Sequence, residues 1–195
     1  MYFRIVFSLI LSLALSAQQN TISLEVHAIG YPKSHVFRAE VQLKYQAIDF
    51  NKIASEKRQA VSKADVVLEM LSTNTHKWDI FFDEKGEAEI KGSPQAAEFN
   101  FQRPIRELSN AIGTIRLEGR MQLSIDGKVA EAWPLAFQRP FKPGATYVLL
   151  FKGGTDDKNT LTGQGFILKE ELEGILAGKP LQNRMPGIIP RSSAR

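Results

Sequence analysis

The chain contains no cysteine and only three histidines among its 195 residues. Without cysteine there are no disulfides, no thiolate metal ligands, no thiol catalysis and no lipid-anchored bacterial precursor. The histidines, His27, His35 and His76, leave few groups for acid–base chemistry near neutral pH. Stability must therefore come from a hydrophobic core, and most metal and acid–base mechanisms are disfavoured.

Several sequence motifs with known chemistry are also absent. There is no Gly-X-Ser-X-Gly elbow, no Ser-X-X-Lys pair and no phosphate-binding glycine loop. The acidic run Asp156–Thr160 lacks the spacing of a calcium loop and is typical of a solvated turn. We therefore predict no metal and no cofactor. Asn-X-Ser/Thr acceptors are missing too, which favours a bacterial envelope over a glycosylating pathway.

The one long apolar run lies at the N-terminus. Arg4 precedes an apolar stretch over residues 5–15, and the small residues Ala14, Ser16 and Ala17 close it. The stretch is too short to anchor stably across ~30 Å of hydrocarbon, and its ending suits signal peptidase. We predict a signal peptide over residues 1–17, and a periplasmic or secreted product with no later membrane span.

The formal net charge of +4 is concentrated at the C-terminus. Four cations follow Glu173, the last acidic residue, and residues 18–173 carry 20 Lys and Arg against 21 Asp and Glu. We therefore expect no basic face for nucleic acid on the folded domain. Residues 179–195 are predicted to form a disordered tail that attracts an acidic envelope component, or simply an unselected polar terminus. The tail cations are Lys179, Arg184, Arg191 and Arg195.

Alternating apolar and polar residues predict two strands near the start of the domain. Residues 22–28 and 37–47 each place apolar side chains at every second position. The intervening Tyr31-Pro32 turn suggests that the two strands pair as a hairpin with one covered face.

The apolar spacing then changes to three and four. From Asp49 to Leu71 this spacing predicts an amphipathic helix of about six turns, which would cover the hairpin. Short strands follow over residues 77–102, and Pro104 to Gly113 is typical of a short helix.

A second hairpin turns at Asp126-Gly127. A three-residue loop with a glycine bulge would pair Ile125 with Val129 and place Met121 opposite Trp133, so that both apolar faces coincide. A two-residue turn would pair Ile125 with Lys128 and set Trp133 against Arg120. We therefore predict the three-residue loop with its bulge.

Two further elements complete the pattern. Tyr147–Phe151 is apolar throughout, as in a strand buried on both faces. Leu168, Leu172, Ile175 and Leu176 then mark a final helix that Gly178 and Pro180 end. We predict a single α+β domain over residues 18–178: a mostly antiparallel twisted sheet of about seven to nine strands, one long amphipathic helix and a short C-terminal helix.

Glu25, His27 and His35 offer a conceivable zinc set, because His27 and His35 would face each other across the first hairpin. An ordinary exposed histidine on a sheet is the favoured interpretation.

The function predicted from these features is an exported, non-enzymatic binding or scaffold protein of the cell envelope. Its partner would be an acidic envelope component or another exported protein. The alternative is an envelope hydrolase that uses a pair of carboxylates in a deep pocket. A third option is that open strand edges recruit a peptide or a second copy.

Overall fold

Two β-sheets pack face to face around one hydrophobic core. The computed structural model describes residues 21–49, 67–71, 74–101, 111–153 and 161–179. Within these residues the strands are β1 Thr21–Ile29, β2 His35–Asp49, β3 Val67–Leu71, β4 His76–Phe82, β5 Ala88–Gly92, β6 Ala96–Asn100, β7 Ala111–Ile125, β8 Lys128–Pro140, β9 Thr146–Gly153 and β10 Leu161–Leu168. One helix, α1, follows over Lys169–Leu176.

The first sheet has the strand order β10-β9-β1-β6, and the second has the order β5-β4-β2-β7-β8 with β3 also paired to β2. β1 and β9 run parallel, and every other pair is antiparallel. No helix among the described residues is long and apolar enough to cross a membrane.

Strict alternation explains why these segments form half-buried strands. Leu24 of β1, Phe37 of β2 and Leu117 of β7 are fully buried. The residues that alternate with the buried ones along each strand face outward. The inner faces of both sheets contribute to the same core cluster, which is the arrangement of a β-sandwich.

The predicted α+β class is therefore wrong. Asp49 is the last residue of β2, and residues 67–71 form β3, which pairs antiparallel with β2 from Lys44 to Ile48. Residues 50–66, the middle of the predicted long helix, lie outside the described residues. At its two ends, hydrogen bonding to a neighbouring strand replaces the helix that the apolar spacing favoured, because tertiary pairing overrides local propensity.

The predicted pairing of the first two strands is also wrong, although both strands exist with the predicted alternation. β1 lies in the first sheet and β2 in the second, so the chain crosses the sandwich between them. Gly30 makes the crossing with a φ of 77°. Alternation identifies the covered face of a strand but not its partner, so the hairpin was not the only arrangement that satisfied the pattern.

The second hairpin has the predicted register but a different turn. Met121 lies opposite Trp133, as predicted. The predicted three-residue loop and its Ile125–Val129 pair are wrong. Asp126 and Gly127 form a two-residue turn with φ values of 51° and 76°, and Ile125 pairs with Lys128. The extra residue is Ala130, between the paired Val129 and Glu131. The bulge that unites the apolar faces therefore lies in the strand and not in the loop.

The predictions for the last two elements are confirmed. Residues 147–151 of β9 are fully buried between β1 and β10. One side of β9 faces the core, and on the other side Val148 and Leu150 pack beneath Leu172 and Ile175 of α1.

The short strands predicted between residues 77 and 102 correspond to β4, β5 and β6. The end of the helix predicted from Pro104 to Gly113 is wrong, because Ala111–Gly113 belong to β7. β7 pairs with β2 along its whole length, as far as Ala111 opposite Asp49. This pairing places Ala111–Gly113 in the strand. Residues 102–110 lie outside the described residues.

β8 forms one edge of the second sheet, and two prolines lie along it. The N–H of Phe141 donates to Gly113 on β7, whereas the carbonyl of Pro140 accepts the Tyr147 hydroxyl at 2.6 Å on the other side. The backbone groups of successive residues point alternately to the two sides of a strand. The backbone nitrogens of Pro134 and Pro140 therefore both lie on the side of β8 that faces away from β7. Neither residue has an N–H to offer there.

His35 is the one polar or charged residue with a fully buried side chain in the described part of the chain. Its ring lies 6.1 Å from the Tyr31 ring, and its Nε2 atom has no hydrogen-bond partner. Burial lowers the pKa of His35, and the nearby charge of Asp126 opposes this only in part. Burial lowers the pKa of His76 as well.

The buried His35 predicts a loss of stability in mild acid. A histidine whose folded-state pKa is lowered contributes stability above its unfolded pKa of about 6.5, and this stability is lost as the pH falls below that value. We expect the urea midpoint to fall from pH 7.5 to pH 5, with each such histidine contributing at most about 1.4 kcal/mol per pH unit. His35→Phe should flatten this dependence. Parallel profiles for the variant and the native chain would contradict the assignment.

Gly119 provides a second test, of the packing between β2 and β7. A Cβ atom at this position would lie 2.0 Å from the Glu40 carbonyl oxygen and 2.9 Å from the Val41 Cα, so the backbone would have to shift. We expect Gly119→Ala to lower the free energy of unfolding by roughly 1–3 kcal/mol in urea titrations.

The matched control is Gly174→Ala in α1, where the added Cβ meets only the flexible Lys179 side chain at 3.0 Å. Alanine in a helix is favoured over glycine by about 1 kcal/mol, so this variant should be no less stable than the native chain. Equal losses in the two variants would contradict the tight β2–β7 contact.

Candidate functional site

A cleft of about 460 Å³ opens between the edges of β1 and β5, where the two sheets approach each other. We call it the side cleft. It combines apolar side chains with polar ones in nearly equal measure. Its lining residues are Glu25, Val26, His27, Ala28, Ile29, Glu87, Ala88, Ile90, Gln95 and Ala96.

The side cleft exists because β6 is too short to cover β1. β9 pairs with residues 23–29 of β1, but β6 pairs only with residues 21–25. The rest of this edge of β1 has only isolated contacts. The Val26 N–H donates to the Gln95 carbonyl at 3.3 Å, and the Gly30 N–H donates to the Gly86 carbonyl at 3.2 Å.

These two hydrogen bonds close the side cleft at its ends. Beside the second one, Ile29 and Glu87 form a single antiparallel bridge, after which β1 and β5 diverge. Gly30 and Gly86 both adopt a φ of 77° at this closure, a conformation that glycine tolerates best. The side cleft is therefore a gap bounded at both ends and not an open strand edge.

The inner wall of the side cleft is apolar and continuous with the core. Val26 and Ala28 are buried, and the half-buried Ala88 and Ile90 pack against the same core cluster. This wall offers hydrocarbon contact to a ligand without a rearrangement of the sandwich.

The outer rim of the side cleft carries a hydrogen-bonded group of three side chains. His27 Nε2 lies 2.9 Å from Glu25 Oε2, and the Lys169 Nζ donates to Glu25 Oε1 at 2.5 Å. His27 and Glu25 share one face of β1, as the alternation predicted. Burial acts to raise the pKa of Glu25, but the hydrogen bonds from Lys169 and His27 outweigh it, and the pKa lies below its usual value.

Glu87 and Gln95 complete the rim, and both are exposed. The Glu87 backbone N–H donates to the Asp83 carboxylate at 2.9 Å, which holds the tight connection between β4 and β5. Within the described part of the chain, no ion pair engages the Glu87 carboxylate.

A second surface groove runs along α1. Arg139 forms an ion pair with Glu171, and Glu171 also accepts the Leu168 N–H at 2.8 Å, which caps the start of the helix. Lys179 borders this groove, and its backbone N–H donates to the Gly174 carbonyl at 3.0 Å. The charges of this groove are therefore largely committed to holding α1.

Of the four tail cations, only Lys179 falls within the described residues, and its side chain is exposed. Arg184, Arg191 and Arg195 lie outside them, as does the predicted signal peptide. The binding role predicted for the tail therefore stays a prediction.

The zinc set considered from the sequence is not assembled. Because β1 and β2 lie in opposite sheets, His27 is at the rim of the side cleft while His35 is inside the core. In the described part of the chain, no three His, Asp or Glu side chains converge on one point.

The outer face of the second sheet carries many charged side chains that form ion pairs with one another. Lys44 and Arg116 both contact Glu118, each at 2.7 Å, and Arg38 contacts Asp79 at 2.7 Å. The hydrogen bond from Lys44 lowers the pKa of Glu118, with Arg116 adding to the effect. These charged side chains are therefore already engaged in ion pairs across the face.

Sequence reasoning missed the side cleft, although it placed Glu25 and His27 correctly on one face. Glu87, Gln95 and Ala96 come from a different part of the chain, and no local pattern marks them. Only the strand order brings them beside β1.

Comparison with protein-family models, with curated protein sequences and with solved structures finds no match to this chain.

Proposed function

We propose that this chain is an exported, non-enzymatic binding protein whose ligand occupies the side cleft. The observation that carries the proposal is the union, in one gap bounded at both ends, of an apolar wall with polar side chains at the rim. A preformed concave site of this composition favours binding, because the ligand gains contact without reordering the protein.

The ionisation of Glu25 is consistent with a role in binding. A carboxyl that serves as a general acid needs a raised pKa. The pKa of Glu25 is lowered instead, by the hydrogen bonds from Lys169 and His27, so this group is suited to stay ionised as an acceptor and not to deliver a proton.

Export is supported by the N-terminal pattern of residues 1–17. We expect the native host to release a mature chain that begins near Gln18 into its envelope or medium. Fractionation followed by N-terminal sequencing measures this directly. An intact Met1 terminus in the cytoplasmic fraction would contradict the proposal.

Blocking the side cleft tests the binding proposal. Ala96→Trp places a large side chain at the mouth of the cleft, and Ala132→Trp makes the same change at an exposed position on β8. We expect ligand-observed NMR with a fragment library of cationic, anionic and neutral compounds to give hits with the native chain and with Ala132→Trp. Those hits should be lost with Ala96→Trp.

Unfolding measurements must first confirm that both tryptophan variants are folded. Fragments that bind all three proteins equally would place the site elsewhere, and the absence of any hit with the native chain would count against a preformed pocket.

A further inference from the structure

We propose that the side cleft takes a primary alkylammonium group with an unbranched hydrocarbon stem. The group would come either from a free amine or from the lysine side chain of a partner protein. This inference rests on the proposed binding function and names the class of ligand.

The charge of the lining favours a cation. Among the residues that line the side cleft, Glu25 and Glu87 carry carboxylates, and neither lysine nor arginine is present. At the rim Lys169 compensates the charge of Glu25, so Glu87 carries the uncompensated negative charge of the opening. An anionic ligand would be repelled there, whereas a cation would be attracted.

The two carboxylates have different roles. Both oxygens of Glu25 already accept hydrogen bonds, one from Lys169 and one from His27, and only 20% of this side chain is exposed. The Glu87 carboxylate is exposed and has no ion pair among the described residues. Glu87 is thus the available acceptor for an incoming N–H donor.

The apolar wall selects the rest of the ligand. Ala28, Ala88 and Ile90 present short aliphatic groups, which suit a chain of methylenes. No aromatic ring lines the side cleft, so the cage that usually recognises quaternary ammonium groups is not present here. A primary ammonium is small enough to donate an N–H directly to Glu87 while its hydrocarbon stem contacts the wall, and so it matches the site better.

Three probes with the same hydrocarbon stem separate charge from hydrophobicity. The full mature chain is titrated with n-hexylamine, n-hexanol and n-hexanoate while the methyl signals of Ala88 and Ile90 are followed by NMR. We expect saturable shifts with the amine, at concentrations at least about tenfold below those needed for the alcohol or the carboxylate.

Glu87→Gln tests the assigned acceptor. This change keeps the shape of the side chain, and we expect it to weaken n-hexylamine binding about fivefold, as for one partly exposed charge pair, with little effect on n-hexanol. The matched control is Glu89→Gln, whose carboxylate contacts Lys91 at 3.3 Å on the same strand and does not line the side cleft. It should bind the amine as the native chain does.

A lysine tripeptide with blocked ends, titrated beside n-hexylamine, distinguishes the two sources of the ammonium group. Tighter binding of the peptide would assign the side cleft to a partner's lysine, and tighter binding of the amine would assign it to a free ligand. Equal binding of alcohol and amine, or an unchanged affinity in Glu87→Gln, would overturn the inference. Non-cationic fragments displaced by Ala96→Trp would overturn it too, but they would leave the binding function standing.

Discussion

The pairing of β2 with β7 is the interaction on which the rest of this structure depends. The two strands are hydrogen-bonded along fifteen residues each, from His35 opposite Ile125 to Asp49 opposite Ala111. Their inward side chains form the middle of the core, and β3, β4 and β8 all attach to one of the two. At Gly119 the backbones approach so closely that no side chain fits, which is why a single added methyl group is expected to be costly there.

The two sheets of the sandwich do not meet along the whole of their edges. In the first sheet, the short strand β6 pairs with only part of β1 and leaves the rest of that edge of β1 without a neighbouring strand. The backbone contacts at Gln95 and Gly86 hold the two sheets together on either side of that gap. The polar rim can then be arranged around an apolar wall without exposing the centre of the core. The side cleft is thus a product of strand lengths, and the chemistry at its rim is a product of which residues face outward on β1.

The sequence was sufficient for some of this structure and insufficient for the rest, for a definite physical reason. The alternation in β1 and β2, the buried β9 and helix α1 are set by local periodicity, and all were predicted. The register of Met121 with Trp133 also followed, because only one register unites the apolar faces. Which sheet a strand joins depends on partners distant in the chain, and so the first hairpin was wrong. The long helix failed at its ends for the same reason, since pairing with β2 outweighed the spacing of Val67 and Leu71. The site shared this limit: the face carrying Glu25 and His27 was predictable, but the approach of Glu87 was not.

Pro134 and Pro140 limit the hydrogen bonds that the outer edge of β8 can offer to another chain. During folding, a chain with strands of thirteen to fifteen residues exposes long strand edges to which other copies can pair. Two imino positions on that outer edge of β8 interrupt the row of donors that an intruding strand would need. The two prolines at the edge of the sheet thereby disfavour edge-to-edge aggregation without altering the packing of the core.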